Sequence, residues 1–235
     1  MILQEIIILS AGLLPSFIWL LFYLRKDSHP ESNSLVLKIF IFGILSGVLA
    51  IFLEKAFQQG MNFFKAGNFL LIIFLASAII EEAVKFLAVK IGLFKTSEPD
   101  EPIDWVLFMI ISALGFAALE NMLVLSSQGA ISSIKALEVM SFRFISATFL
   151  HALCSGAVGY FWVLSHCKNK KAFLWFGFIG VACLHAFYNW SIIKIEGANK
   201  FLMPLILIIA LSLFVSFGIK HLKRLKSVCF VAQKK

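Results

Sequence analysis

The sequence predicts an all-α protein, a polytopic bundle of about seven transmembrane helices. Three observations lead there. Of 235 residues, 60% are hydrophobic and 14% charged, whereas a soluble domain runs at about 45–50% apolar and about 25% charged. The mean hydropathy is +0.94. The apolar residues gather in runs of roughly twenty, the length that carries a helix across a bilayer core. None of these runs alternates with period two, and backbone groups in lipid must bond within their own segment, so the spans are helices rather than strands. This composition excludes a disordered chain, an ordinary cytosolic enzyme and a nucleic-acid-binding domain. The net charge of +8 reads as basic loops that set membrane topology.

The expected spans are Ile2–Leu24, Leu35–Phe57, Phe69–Phe94, Ile103–Leu125, Ile134–Leu164, Phe173–Ile193 and Phe201–Ile219. Turn chemistry separates them: residues 27–34 (Asp-Ser-His-Pro-Glu-Ser-Asn-Ser), 97–102 (Ser-Glu-Pro-Asp-Glu-Pro), 126–129 (Ser-Ser-Gln-Gly) and 166–171 (His-Cys-Lys-Asn-Lys-Lys). Nothing is left over for a soluble domain, so residues 1–235 read as one integral membrane domain. The four cysteines, Cys154, Cys167, Cys183 and Cys229, show no C-x-x-C spacing.

Basic residues orient the bundle. The first run has no basic residue before it and Arg25-Lys26 after it, the pattern of an uncleaved span whose N-terminus is outside. On that orientation the inner segments hold Arg25, Lys26, Lys38, Lys90, Lys95, Lys168, Lys170, Lys171 and the tail residues Lys220, Lys223, Arg224, Lys226, Lys234 and Lys235. The outer segments hold Lys55, Lys65, Lys135, Lys194 and Lys200. The bias predicts an N-out, C-in protein with the lipid bilayer as its surroundings.

Charged groups sit where lipid should be. Glu81, Glu82, Lys85, Glu120 and Arg143 lie within the spans, joined by His151, His185, Asn121 and Asn189. A central charge costs roughly 3 kcal/mol on insertion scales, so these groups should face the bundle interior and one another. Counted from polar edges at Lys95, Asp104, Ser165 and Lys171, the residues Glu81, Glu120, His151 and His185 lie about 21–24 Å from the inner boundary at 1.5 Å per residue. Four helices thus bring an acid or an imidazole to one level. Glu81 and Lys85 share a helical face, as do His185 and Asn189, each pair at i,i+4. Ser155, Gly156 and Gly159 after His151 read as close-packing positions, and Asp104 as a helix cap or a group that supports the site from behind.

Such a cluster supports hydrolysis by two routes. His151, His185 and Glu120 would make a three-ligand zinc set with an open position for water. Without metal, Glu81 would activate water as a general base while His185 and Asn189 stabilise the oxyanion. The same acids and histidines also suit a proton- or ion-coupled transporter, and a non-catalytic membrane scaffold is a third alternative.

Several elements together resemble one family. Glu81-Glu-Ala-Val-Lys85, Glu101-Pro-Ile-Asp104, residues 113–121 (Ala-Leu-Gly-Phe-Ala-Ala-Leu-Glu-Asn), Arg143, His151-Ala152 and His185-Ala-Phe-Tyr-Asn189 are similar to the PrsW family of bacterial intramembrane proteases. That family is related to the CAAX-protease and bacteriocin-processing superfamily. The likeness runs from about Phe69 to Asn189, so residues 69–193 would form the catalytic core. One departure is Trp105, which follows Pro-Ile-Asp where a small residue is usual. The resemblance implies a multi-pass protein of a bacterial plasma membrane that cleaves a membrane-anchored protein, an anti-sigma factor in the best-known members. It also implies an active site of Glu81, Glu82, Glu120, Asn121, His151, His185 and Asn189. Family members have been labelled metalloproteases while their CAAX-type relatives look glutamate-dependent, so the resemblance leaves zinc as one of two routes.

Overall fold

A computed structural model describes residues 2–27, 29–63, 70–96, 99–197 and 199–225. Eight helices follow one another: α1 (Ile2–Leu24), α2 (Asn33–Phe63), α3 (Leu70–Gly92), α4 (Pro102–Ser127), α5 (Ser133–Ile145), α6 (Ala147–Cys167), α7 (Ala172–Lys194) and α8 (Asn199–Leu225). No strand occurs among the described residues. Among the described residues, six stretches are long and apolar enough to cross a membrane. These are α1, α2, α4, α5 with α6, α7 and α8. Helix α3 has the length but carries Glu81, Glu82, Lys85 and Lys90. Phe69, Lys65, Cys229 and the tail lysines Lys226, Lys234 and Lys235 of the sequence reading lie outside the described residues.

The fifth expected span, Ile134–Leu164, is not one helix. It breaks at Ser146, whose φ of −112° and ψ of −98° are not helical. Hydropathy misses such a break because the residues on both sides are apolar. Packing explains how the break is tolerated. A break leaves carbonyls without their helical partners, and the Trp19 indole N–H of α1 donates to the Phe144 carbonyl at 2.8 Å. The same indole stacks on Phe149 with ring centroids 4.0 Å apart.

Helix α4 is the central post. It packs against α1, α2 and α6, and from Pro102 to Ala118 every residue but Trp105 is buried. Its N-terminal end is capped, as expected of Asp104. The Asp104 carboxylate accepts the backbone N–H groups of Asp100 and Glu101 at 3.0 and 2.7 Å. The α2–α4 crossing depends on two glycines. A Cβ on Gly43 would strike the Ser112 carbonyl oxygen, and one on Gly115 would strike the Phe40 carbonyl oxygen. The two backbones are therefore in direct contact, the close approach that small residues permit in membranes.

Helix α3 inverts the usual amphipathic logic. Its buried residues are Ala78, Glu81, Glu82, Val84, Lys85, Ala88, Val89 and Gly92, mostly three or four apart and thus on one face. That buried face is charged at its middle, while Leu71, Ile79, Leu87 and Ile91 are exposed, as suits lipid.

The glycine crossing makes a checkable statement about stability. Gly115→Ala should lower stability by about 1–3 kcal/mol, the usual cost of overpacking, read as a lower unfolding midpoint in detergent. Gly180→Ala on α7 meets nothing within 4 Å and should leave the midpoint unchanged or raise it, because Ala favours helix over Gly.

Candidate functional site

The charged face of α3 is met by α4, α6 and α7. Lys85 is wholly enclosed, and its ammonium donates to Glu82 Oε1 at 2.9 Å and to Glu81 Oε2 at 3.3 Å. It stands 2.8 Å from His151 Nδ1 and 4.1 Å from the centre of the Phe116 ring. A lysine ammonium only donates. His151 Nδ1 therefore accepts, and Nε2 carries the proton toward Glu120 Oε2 at 2.8 Å. The tautomer of His151 is fixed from both sides.

His185 on α7 completes the ring. Its Nε2 lies 3.8 Å from Glu81 Oε2 and its Nδ1 lies 3.3 Å from Glu82 Oε1. That Nδ1 is close enough to Glu82 for a hydrogen bond but not aligned for one, and it has no other partner among the described residues. The two imidazoles meet edge to face, with centroids 5.1 Å apart. Glu82 is fully buried and takes a second hydrogen bond from the Ser155 hydroxyl at 2.7 Å.

A side arm extends from the ring along α4. Arg143 of α5 donates to Asn121 Oδ1 at 2.6 Å and to Glu120 Oε2 at 3.2 Å. Asn121 donates in turn to the Thr148 hydroxyl and to the Gly12 carbonyl of α1. The break at Ser146 turns Arg143 and Thr148 toward α4 on either side of the bend. A cavity of about 200 Å³ opens beside this arm, lined by Glu54, Glu81, Glu120, Arg143 and apolar residues of α2 and α4.

The structure thus brings six of the expected groups into mutual contact: Glu81, Glu82, Lys85, Glu120, His151 and His185. Asn121 joins them through Arg143. Asn189 stands one turn beyond His185, half-buried, and its side chain makes no hydrogen bond among the described residues. Thr148 and Glu54 escaped the sequence reading, and Ser155 was read there only as a close-packing position. Ser155 and Thr148 share the His151 face of α6 at i+4 and i−3, a spacing that could have disclosed them. Glu54 lies within the second expected span as a lone acid, and no pattern marked it.

The donor set is suited to a metal. Glu81, His151 and His185 offer ligand atoms that lie within 4.8 Å of one another. Each imidazole turns its other nitrogen to a second carboxylate, Glu120 for His151 and Glu82 for His185. Metal-bound histidines are commonly oriented in that way. The trio differs from the expected His151, His185 and Glu120 in its carboxylate, because Glu120 lies on the far side of the His151 ring and is held by Arg143. The Lys85 ammonium lies 2.8 Å from His151 Nδ1 and 3.3 Å from Glu81 Oε2, so a metal held by those two atoms would compete with it.

Comparison with known proteins gives the context. The sequence matches a family described as PrsW family intramembrane metalloprotease over residues 31–217. Protease PrsW of Geobacillus kaustophilus is 30% identical over 193 residues, covering 80% of this chain and 81% of its own. Protease PrsW of Oceanobacillus iheyensis is 26% identical, covering 86% and 90%, and that of Bacillus subtilis 25%, covering 94% and 96%. No solved structure matches the chain significantly. Relatives named as proteases set aside the transporter and scaffold alternatives. The match spans most of the sequence and includes every residue of the buried ring, so this chain belongs to the PrsW family of intramembrane metalloproteases.

Proposed function

We propose that this protein hydrolyses a peptide bond in the juxtamembrane part of a membrane-anchored protein, near the outer face of a bacterial plasma membrane, with Glu81 as the general base. On this reading the N-terminus lies outside, the C-terminus inside, and residues 69–193 carry the chemistry. An anti-sigma factor is the substrate class that the family resemblance suggests. One observation carries the proposal. The Glu81 carboxylate lies within 3.8 Å of Lys85 Nζ, His151 and His185 and also lines the cavity between α2 and α4.

The steps follow from the contacts. A water in the cavity gives a proton to Glu81 as its oxygen attacks the substrate carbonyl carbon. Charge develops on the carbonyl oxygen, and His185, with Asn189 one turn away, offers the donors that stabilise it. Glu81 then returns the proton to the leaving amine as the carbon–nitrogen bond breaks. Glu82 does not meet substrate. It is saturated by Lys85 and Ser155 and holds the lysine in place. Glu120 and Asn121, tied through Arg143, keep His151 in a single tautomer. Glu81, His151 and His185 would hold a divalent metal, which supplies a Lewis acid and a more acidic water when bound.

Three outcomes are expected. Glu81→Gln should lower the rate of cleavage of a single-span substrate by about 10²–10⁴-fold, the usual contribution of a general base, with the helical circular dichroism unchanged. Retention of full activity would remove Glu81 from this role. Elemental analysis should find a divalent metal in the purified protein, lost in His151→Ala and His185→Ala and retained more tightly in Lys85→Met, which lacks the competing ammonium. A chelator that strips this metal should also abolish cleavage, and resupplying zinc should restore it.

A further inference from the structure

The cavity beside the catalytic ring has a charge the hydrolytic steps do not use. Glu54, on the outer half of α2, lines it together with Glu81 and Glu120. Among the described residues its carboxylate has no ion pair and no hydrogen bond. Among the described residues, the cations of the cavity lining and the ring are committed. Arg143 is held by Asn121 and Glu120, and Lys85 is wholly enclosed between Glu82, Glu81 and His151. An ionisable side chain inside a span is costly when unpaired, and Glu54 faces a space that leads to the reactive carboxylate.

The rest of the lining tells what fits there. Ile51, Leu119 and Leu123 give the cavity apolar walls. A Lys or Arg side chain matches that combination, its aliphatic stem lying along apolar surface while its head reaches a carboxylate. Glu54 is nine residues before the end of α2 at Phe63, about 13 Å along the helix. That depth suits a juxtamembrane segment entering from the outer leaflet. Basic residues are scarce on the outer flank of membrane spans, so requiring one there narrows the choice of substrate.

We infer that the gap between α2 and α4 is the substrate entrance, and that Glu54 selects chains bearing a Lys or Arg close to the scissile bond. This rests on the hydrolytic reading above and adds the substrate class. The experiment uses the full chain in lipid vesicles with a pool of single-span proteins whose outer juxtamembrane segments are randomised. Cut sites are read by mass spectrometry. Lys and Arg should be enriched near the cut by about tenfold, the worth of one charged hydrogen bond. The enrichment should vanish in Glu54→Gln and turn to Glu and Asp in Glu54→Lys. Separately, Leu123→Cys on the cavity wall is labelled with cationic and anionic thiosulfonate reagents. The ratio of their rates should exceed that of a free cysteine and fall several-fold when Glu54→Gln is added. Cutting without a basic preference, a preference that survives Glu54→Gln, or a labelling ratio indifferent to Glu54 overturns the inference while leaving the hydrolytic reading intact. Wild-type protein that cuts nothing in the pool overturns the hydrolytic reading itself, and this inference with it.

Discussion

An ammonium group sealed from water is tolerable only where matching charge surrounds it, and Lys85 sets that demand at the centre of this bundle. Its two acidic partners come from its own helix, three and four residues earlier, so the charge is balanced before α3 packs against anything. The third partner, His151, comes from α6, and its far nitrogen engages Glu120 of α4. From there Arg143 links α5, and Asn121 reaches α1 through the Gly12 carbonyl. A single buried cation thereby sets the approach of five other helices, counting His185 of α7. The lipid-facing sides of the same helices could vary freely within apolar residues without disturbing this arrangement.

The network explains why so much polar chemistry can exist in a small apolar chain. Buried polar groups are costly only when left unmatched. Glu82 is satisfied by Lys85 and Ser155, and Asn121 by three helices at once. His185 Nδ1 is among the buried atoms left without a hydrogen bond among the described residues, and it lies beside the two α3 carboxylates. Rigidity and reactivity are thus divided between neighbouring carboxylates. Glu82 anchors, and Glu81 is left with contacts that substrate can compete for.

Much of this was legible in the sequence, for a physical reason. Charges in a membrane must converge, so Glu81, Glu120, His151 and His185, counted from their helix ends to one depth, could be placed together without coordinates. The α1 boundaries Ile2 and Leu24 follow from the apolar run and the Arg25-Lys26 pair that ends it. What was not legible depended on tertiary partners. The bend at Ser146 is held by Trp19, more than a hundred residues away, and hydropathy is blind to it. Whether Glu81 or Glu120 faces the open side of the His151 ring is a matter of rotamers. Glu54 gave no signal because a solitary acid has no spacing to read.

The contact of α2 and α4 at Gly43 and Gly115 has a mechanical result. Bare backbone against bare backbone leaves no side chain to rearrange, so α2 and α4 have no slack at that point. On the proposed entrance between α2 and α4, a polypeptide pressing in would be accommodated by the part of α2 beyond Gly47 leaning away, as a lever does about its fulcrum. Glu54 lies on that arm of α2, while Glu81 is seated on α3.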